Sequence, residues 1–270
     1  DRNNPLMRGL ACAALNSGLR SVLVFDGAIA TLQSAAHTLA QMLEVVTDCR
    51  VVPVQLGVVE TEENLWRGLA LSKETTAFPF EWQRGVLASG REQELRLVII
   101  PDLTKLSLAT ARACIALMES DVAYLERHGH QDVWKPNLCW IAGCSRSDVG
   151  LVSPHLLDRF ALRLSSQEFA AVDRVAVLQQ WLQELDESSE QAQDVLSPEW
   201  VEVLQRAHSK RVPEGASAYP EVTLEAQKRV LDYIAVSEGY SVRRELALLR
   251  LAQANAQLEG VAQVSEKQVD

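Results

Sequence analysis

The chain has little positive charge for its length: 26 Lys and Arg stand against 36 Asp and Glu in 270 residues, a formal net charge of −10. That balance argues against a nucleic-acid or anionic-membrane surface and leaves proteins as the expected partners. Cysteines are few and odd in number. Cys12, Cys49, Cys114, Cys139 and Cys144 sit mostly inside apolar runs and form no CxxC or CxxxH group, so neither a disulfide framework nor a zinc site is indicated and a reducing cytoplasm fits. No apolar run approaches the length of a membrane span, and the first residues lack the charged-then-apolar pattern of a signal peptide. Low-complexity runs and internal repeats are absent. A chain that opens at Asp1 is compatible with a piece cut from a longer protein.

What is present is a large apolar fraction, 47%, enough for a full core, and one stretch that organises the rest. Val22 to Phe25 reads as a buried strand; after a short turn, Leu32, Ala35, Ala36, Leu39, Met42 and Leu43 recur at helical spacing. In a nucleoside triphosphatase such a turn would read Gly-x-x-x-x-Gly-Lys-Ser/Thr, with the lysine on the β- and γ-phosphates and the hydroxyl on Mg²⁺. Here Asp26 stands for the first glycine, followed by Gly27; Thr31 stands for the second glycine, Leu32 for the lysine and Gln33 for the hydroxyl. Charge-assisted hydrogen bonds contribute roughly 1.5–3 kcal/mol each, so losing two would weaken triphosphate binding by about two to four decades. Taken alone, the stretch is an ordinary strand–helix unit.

Along the chain, Pro5–Asn16 reads as a helix closed by Gly18, Arg50–Leu56 as a strand, and 60–70 as a helix. Ser72–Pro79 looks like a loop and Gln83–Ala88 a short helix, the middle region forming an insertion. Leu95–Ile100 is the clearest strand, with Pro101 and Asp102 at its carboxyl end, and Ser107 caps a helix running to about Glu119. Asn137–Ala142 and Phe160–Leu164 are further strands. The alternation predicts an α/β fold, a mostly parallel sheet with helices on both faces. The text then turns helical: Gln167–Leu185, an acidic stretch Asp186–Asp194, and helices over Pro198–Ser209, Leu224–Ser237 and Val242–Leu258. This predicts an α/β domain over 1–165, a linker helix and acidic segment over 166–198, and an all-helical lid domain over 199–270.

Several constellations take bland readings. His128, His130 and Glu126 have no third ligand at metal-site spacing, the acidic run is a solvated linker face, and the six tryptophans are scattered as packing residues. Ser145, His155 and Asp158 lack any nucleophile elbow.

Ser153-Pro154-His155-Leu156-Leu157-Asp158-Arg159-Phe160 resembles the Arg-Pro-Gln-Leu-Leu-Asp-Arg-Phe stretch of the ATPase subunit of magnesium chelatase, an AAA+ protein. Trp82-Gln83-Arg84-Gly85-Val86-Leu87-Ala88 is similar to that family's Phe-x-x-Gly-Leu-Leu-Ala, and Leu125-Glu126-Arg127-His128-Gly129 to its Val-Glu-Arg-x-Gly. Val242-Arg243-Arg244-Glu245-Leu246, then Leu258-Glu259-Gly260, resemble Leu-Arg-Gly-Asp-Ile and Leu-Glu-Gly, and Val264–Val269 its closing Val-Thr-x-Glu-Asp-Val. The pieces keep their order over almost the whole chain. The resemblance implies an AAA+ P-loop-NTPase-like sheet with a C-terminal helical domain.

The departures from the family fall at its catalytic positions. Its second acidic motif ends Val-Asp-Glu, where Asp helps hold Mg²⁺ and Glu orients water; here the run ends Ile100-Pro101-Asp102. Its polar sensor Asn corresponds to Ser145 or Arg146. Arg159 matches the family arginine that reaches a neighbour's γ-phosphate, and Arg243 the second sensor arginine. Read alone, Arg159 would be an ion-pair residue for Asp158 or a nearby carboxylate, and Arg243 an exposed helix charge. The resemblance implies a catalytically silent module with no cofactor in the isolated chain, and ATP and Mg²⁺ only at a shared interface. It would be a hetero- or homo-oligomeric ring member that pairs with an active AAA+ ATPase subunit in Mg²⁺ insertion into protoporphyrin, in a cytoplasm or plastid stroma. An atypical active ATPase and a MoxR-like interaction module of a stress or defence system are the open alternatives.

Overall fold

The computed structural model describes residues 4–57, 60–71, 80–88, 94–118, 120–127, 129–166, 196–209, 219–236 and 241–270. The expected loop Ser72–Pro79, the linker helix Gln167–Leu185, the acidic run after it, and His128 lie outside the described residues.

Asn4 starts the first helix, α1 (Pro5–Leu15): its side-chain oxygen accepts from the N–H groups of Leu6 and Met7 at 3.0 and 3.2 Å, while Pro5 occupies the first turn, where no N–H is required. Strand β1 (Ser21–Phe25) and helix α2 (Ile29–Thr47) follow, then β2 (Arg50–Gln55), a short helix α3 (Glu62–Leu65), and a hairpin of β3 (Arg67–Leu71) and β4 (Phe80–Arg84). Strand β5 (Glu94–Ile100) passes through a 3-10 turn, Leu103–Lys105, into α4 (Leu108–Leu117), whose first turn is capped by Ser107. A second hairpin, β6 (Ala123–Arg127) and β7 (His130–Trp134), precedes β8 (Leu138–Cys144), a 3-10 turn at Arg146–Leu151, α5 (Pro154–Leu157) and β9 (Leu162–Ser165). The C-terminal region carries α6 (Pro198–Ser209), β10 (Glu221–Val222), α7 (Leu224–Val236), α8 (Val242–Glu259), β11 (Gln263–Val264) and α9 (Glu266–Val269).

Five strands form a sheet in the order β2-β5-β8-β1-β9, and every neighbouring pair is parallel. Because side chains alternate along a strand, Val22 and Val24 join Leu97, Cys139 and Ile141 under α1 and α2, while Leu23, Val98, Trp140 and Ala142 pack on the other face with Cys114 of α4 and Leu156 of α5. Both faces are therefore dry, as a parallel sheet requires. Trp200, Val203 and Leu204 of α6 and Ala254 and Leu258 of α8 extend the first cluster over α1 and α2. A third cluster joins α7, α8 and α9 through Ala226, Val230, Ala252, Ala256 and Val269. Among the described residues no helix is long and apolar enough to cross a membrane. All five cysteines are unbridged.

The middle region departs from expectation. The helix read over 60–70 is one turn, Glu62–Leu65, followed by a strand, and the helix read at Gln83–Ala88 is the end of β4 and a turn. The hairpin β6–β7 and the short parallel pair β10–β11 had no signal in the sequence reading. Contacts distant in sequence stabilise the extended form: Arg67 and Arg84 of the first hairpin both reach the Asp132 carboxylate of the second, at 2.7 and 3.3 Å, and Trp66 meets Trp134 edge to face at 6.3 Å. The structure also supplies a reason for Gly85 within the Trp82–Ala88 motif. A Cβ there would collide with the backbone of Leu65 and Trp66 and lie 2.5 Å from the Asn64 carbonyl oxygen.

Gly85→Ala should accordingly cost about 1–3 kcal/mol, read as a lower urea midpoint at unchanged slope. Gly150→Ala, where an added Cβ meets nothing within 4 Å, should leave the midpoint in place.

Candidate functional site

In an open parallel sheet, ligands bind beyond the carboxyl ends of the strands, and here β1, β5 and β8 are adjacent there. Strand β1 ends at Phe25 and α2 begins at Ile29, so only Asp26, Gly27 and Ala28 connect them. The helix is already wound at the positions where the phosphate-binding motif would still be loop. Thr31, Leu32 and Gln33 fall in its first turns: Gln33 is exposed, and Leu32, at 2% exposure, points into the core. Its side chain lies against Gly143 of β8, where an added Cβ would sit 3.3 Å from a Leu32 methyl and 2.6 Å from the Pro101 carbonyl oxygen. Two predicted site positions, Leu32 and Pro101, thus flank Gly143 at the end of the central strands.

Asp26 adopts a left-handed backbone, φ 57°. Its carboxylate accepts the Arg146 backbone N–H at 2.8 Å and pairs with the Arg146 guanidinium at 3.3 Å, and that guanidinium lies 5.7 Å from the centre of the Phe25 ring. Of the two residues matched to the sensor, Arg146 reaches the first loop, whereas the Ser145 hydroxyl bonds Ser147 at 2.7 Å. Asp102 caps its own 3-10 turn, accepting the Thr104 N–H at 2.9 Å and hydroxyl at 2.6 Å and pairing with Lys105 at 3.3 Å. Partial burial disfavours its charge, but these hydrogen bonds and the lysine outweigh that and hold the carboxyl below its usual range. Among the described residues no group of three or more His, Cys, Asp or Glu side chains could hold a metal ion.

The two arginines lie at the opposite end. Ser21, the first residue of β1, donates its hydroxyl to the Arg159 carbonyl at 2.9 Å and accepts the Ala161 N–H at 3.0 Å. A five-residue strand, about 17 Å at 3.3 Å per residue, therefore separates the backbone of Arg159 from that of Asp26. Asp158 receives the Ser241 hydroxyl and the Arg243 guanidinium, each at 3.0 Å, which brings the amino end of α8 to the same place. Arg159, Arg163, Arg243 and Arg244 line a cavity of about 430 Å³ together with Asp158. Burial, then the charge of Arg243, lower the pKa of Arg159. Ser21 escaped the sequence reading as a site residue, because its partners lie 138 and 140 positions away, and the Asp158–Arg243 pair, 85 positions apart, was likewise not legible there.

No family model matches the sequence, and no curated protein matches it. Among solved structures it is similar to a presumed ATPase from Cytophaga hutchinsonii, with a TM-score of 0.60 at 12% identity over 98% of this chain and 77% of that one. With the strand order and the helical C-terminal region, this likeness establishes an AAA+-like α/β fold.

The lowered Asp102 pKa has a pH signature. Such a carboxylate contributes stability above its ordinary 3.8 that is lost as the pH falls through its lower folded value. Asp102→Asn should be less stable than the parent near neutral pH, by a small margin because a third of the side chain is exposed. The margin should close in acid, as measured by denaturant midpoints across that range.

Proposed function

We propose that this chain is a catalytically silent AAA+ module of the magnesium-chelatase type. It acts as a structural and regulatory ring subunit that pairs with an active ATPase subunit in Mg²⁺ insertion into protoporphyrin. The observation that carries the reading is Leu32: where a nucleotide-binding relative needs a lysine exposed to phosphate, this chain buries a leucine against Gly143 and Pro101. Removing that cation and the metal-holding carboxylate takes away the main electrostatic support of phosphoryl transfer. What supports a contribution to a partner is the placement of Arg159 and Arg243 together, a strand's length from the chain's own loop. In AAA+ rings one subunit supplies the phosphate loop and the next supplies the arginine, so a silent subunit can complete its neighbour's site. Mg²⁺ and ATP are then ligands of the shared interface, with the partner supplying the metal ligands. The matching partner belongs to the same family, in a cytoplasm or plastid stroma.

Two outcomes are expected. Calorimetric titration of the purified chain with ATP and Mg²⁺ should show no binding, and Leu32→Lys alone should not create hydrolysis, since Pro101 still cannot hold a metal. A micromolar dissociation constant with turnover would instead mark an atypical active ATPase and overturn the silent reading. In mixed complexes with a competent AAA+ partner, Arg159→Ala should slow ATP hydrolysis by a large factor, up to about 10³–10⁵, while assembly on size-exclusion chromatography is kept. Normal assembly with an unchanged rate would return Arg159 to a structural role.

A further inference from the structure

Leu32 is buried and, among the described residues, no group of three or more His, Cys, Asp or Glu side chains could hold a metal ion, yet the carboxyl end of the sheet carries a further device. Asp26 occupies the left-handed region, which costs a side-chain-bearing residue on the order of 1 kcal/mol and a glycine nothing. Its contacts account for the conformation. The backbone N–H of Asp26 donates to the Cys144 carbonyl at 3.1 Å, its carboxylate takes both the backbone and the guanidinium of Arg146, and Arg146 in turn covers Phe25. Every one of these contacts joins the end of β1 to the end of β8. A carboxylate with a backbone N–H and a guanidinium around it has the surroundings that a bound phosphate takes in other proteins.

We infer that Asp26 and Arg146 form a resident clasp in which the Asp26 carboxylate takes the place of an exogenous anion and locks the β1–α2 loop shut against β8. The inference rests on the silent-module reading and adds to it a closed conformation held by a named pair. The Asp26, Asp102 and Asp148 carboxylates all lie near enough to Cys144 to add to burial in raising its thiol pKa, and Arg146 and Lys105 pair with the first two. A locked loop gives the carboxyl end of the sheet one fixed shape, which a ring neighbour can recognise without nucleotide.

Hydrogen exchange of the whole chain tests the clasp. The variants are Asp26→Gly, which suits the backbone conformation but removes the carboxylate, Arg146→Ala, and the double variant. The amides of residues 26, 32 and 146, which donate to the Cys144 carbonyl, the Ala28 carbonyl and the Asp26 carboxylate, should exchange at least about tenfold faster in each single variant, with no further gain in the double variant, as expected of partners in one interaction. The amides of β2 and β5 serve as the internal control and should be unmoved. Because the Arg146 side chain is half exposed, about 1 M salt should speed exchange in the parent and have no such effect in the variants. Unchanged loop exchange in both single variants would overturn the clasp while leaving the silent reading untouched. A rise in the parent's melting temperature with inorganic pyrophosphate would overturn the silent reading, and the resident-anion role with it.

Discussion

Strand β1, held in parallel register between β8 and β9, is the constraint on which both candidate sites depend. Its carboxyl end delivers Asp26 to Arg146, and its amino end delivers Ser21 to the backbone of Arg159 and Ala161. A slip of one residue would turn Val22 and Val24 toward the face that Leu23 occupies, and all three are at most 1% exposed. Burial on both faces therefore fixes the register, and the register fixes what meets at each end.

The two ends have different chemistry because different loops build them. At the carboxyl end the segments after β1, β5 and β8 bring a leucine, a proline carbonyl, a capping aspartate and an ion pair together. At the amino end, the turn before β9 and the start of α8 bring several arginines around one aspartate. Substitutions in one set of loops need not disturb the other, since the hydrophobic sheet lies between them.

The insertion hairpins illustrate how tertiary contact overrides local pattern. Residues 60–70 carry apolar side chains at helical intervals, but Gly68 weakens a helix and Arg67 finds Asp132 across 65 positions of sequence. Strand pairing with 80–84 and the Trp66–Trp134 contact then decide the outcome. Gly85, by contrast, was noticed only as part of a motif, and its meaning is steric: the turn passes too close to the Leu65–Trp66 backbone for any side chain.

The sequence by itself determined the alternating strands and helices, the parallel sheet, the helix α4 capped by Ser107, and the residues that stand at each position of the first loop and after β5. These are local matters of periodicity, capping and residue chemistry, written in consecutive residues. Only the tertiary structure decided that α2 starts early enough to leave a three-residue loop, and that Leu32 packs on Gly143. It also decided that Arg146 rather than Ser145 answers Asp26, and that Asp158 gathers Arg243 to the side of Arg159. Those pairings join residues from 85 to 120 positions apart. Strand order sets them, and strand order follows from how the whole core closes rather than from any stretch of the chain.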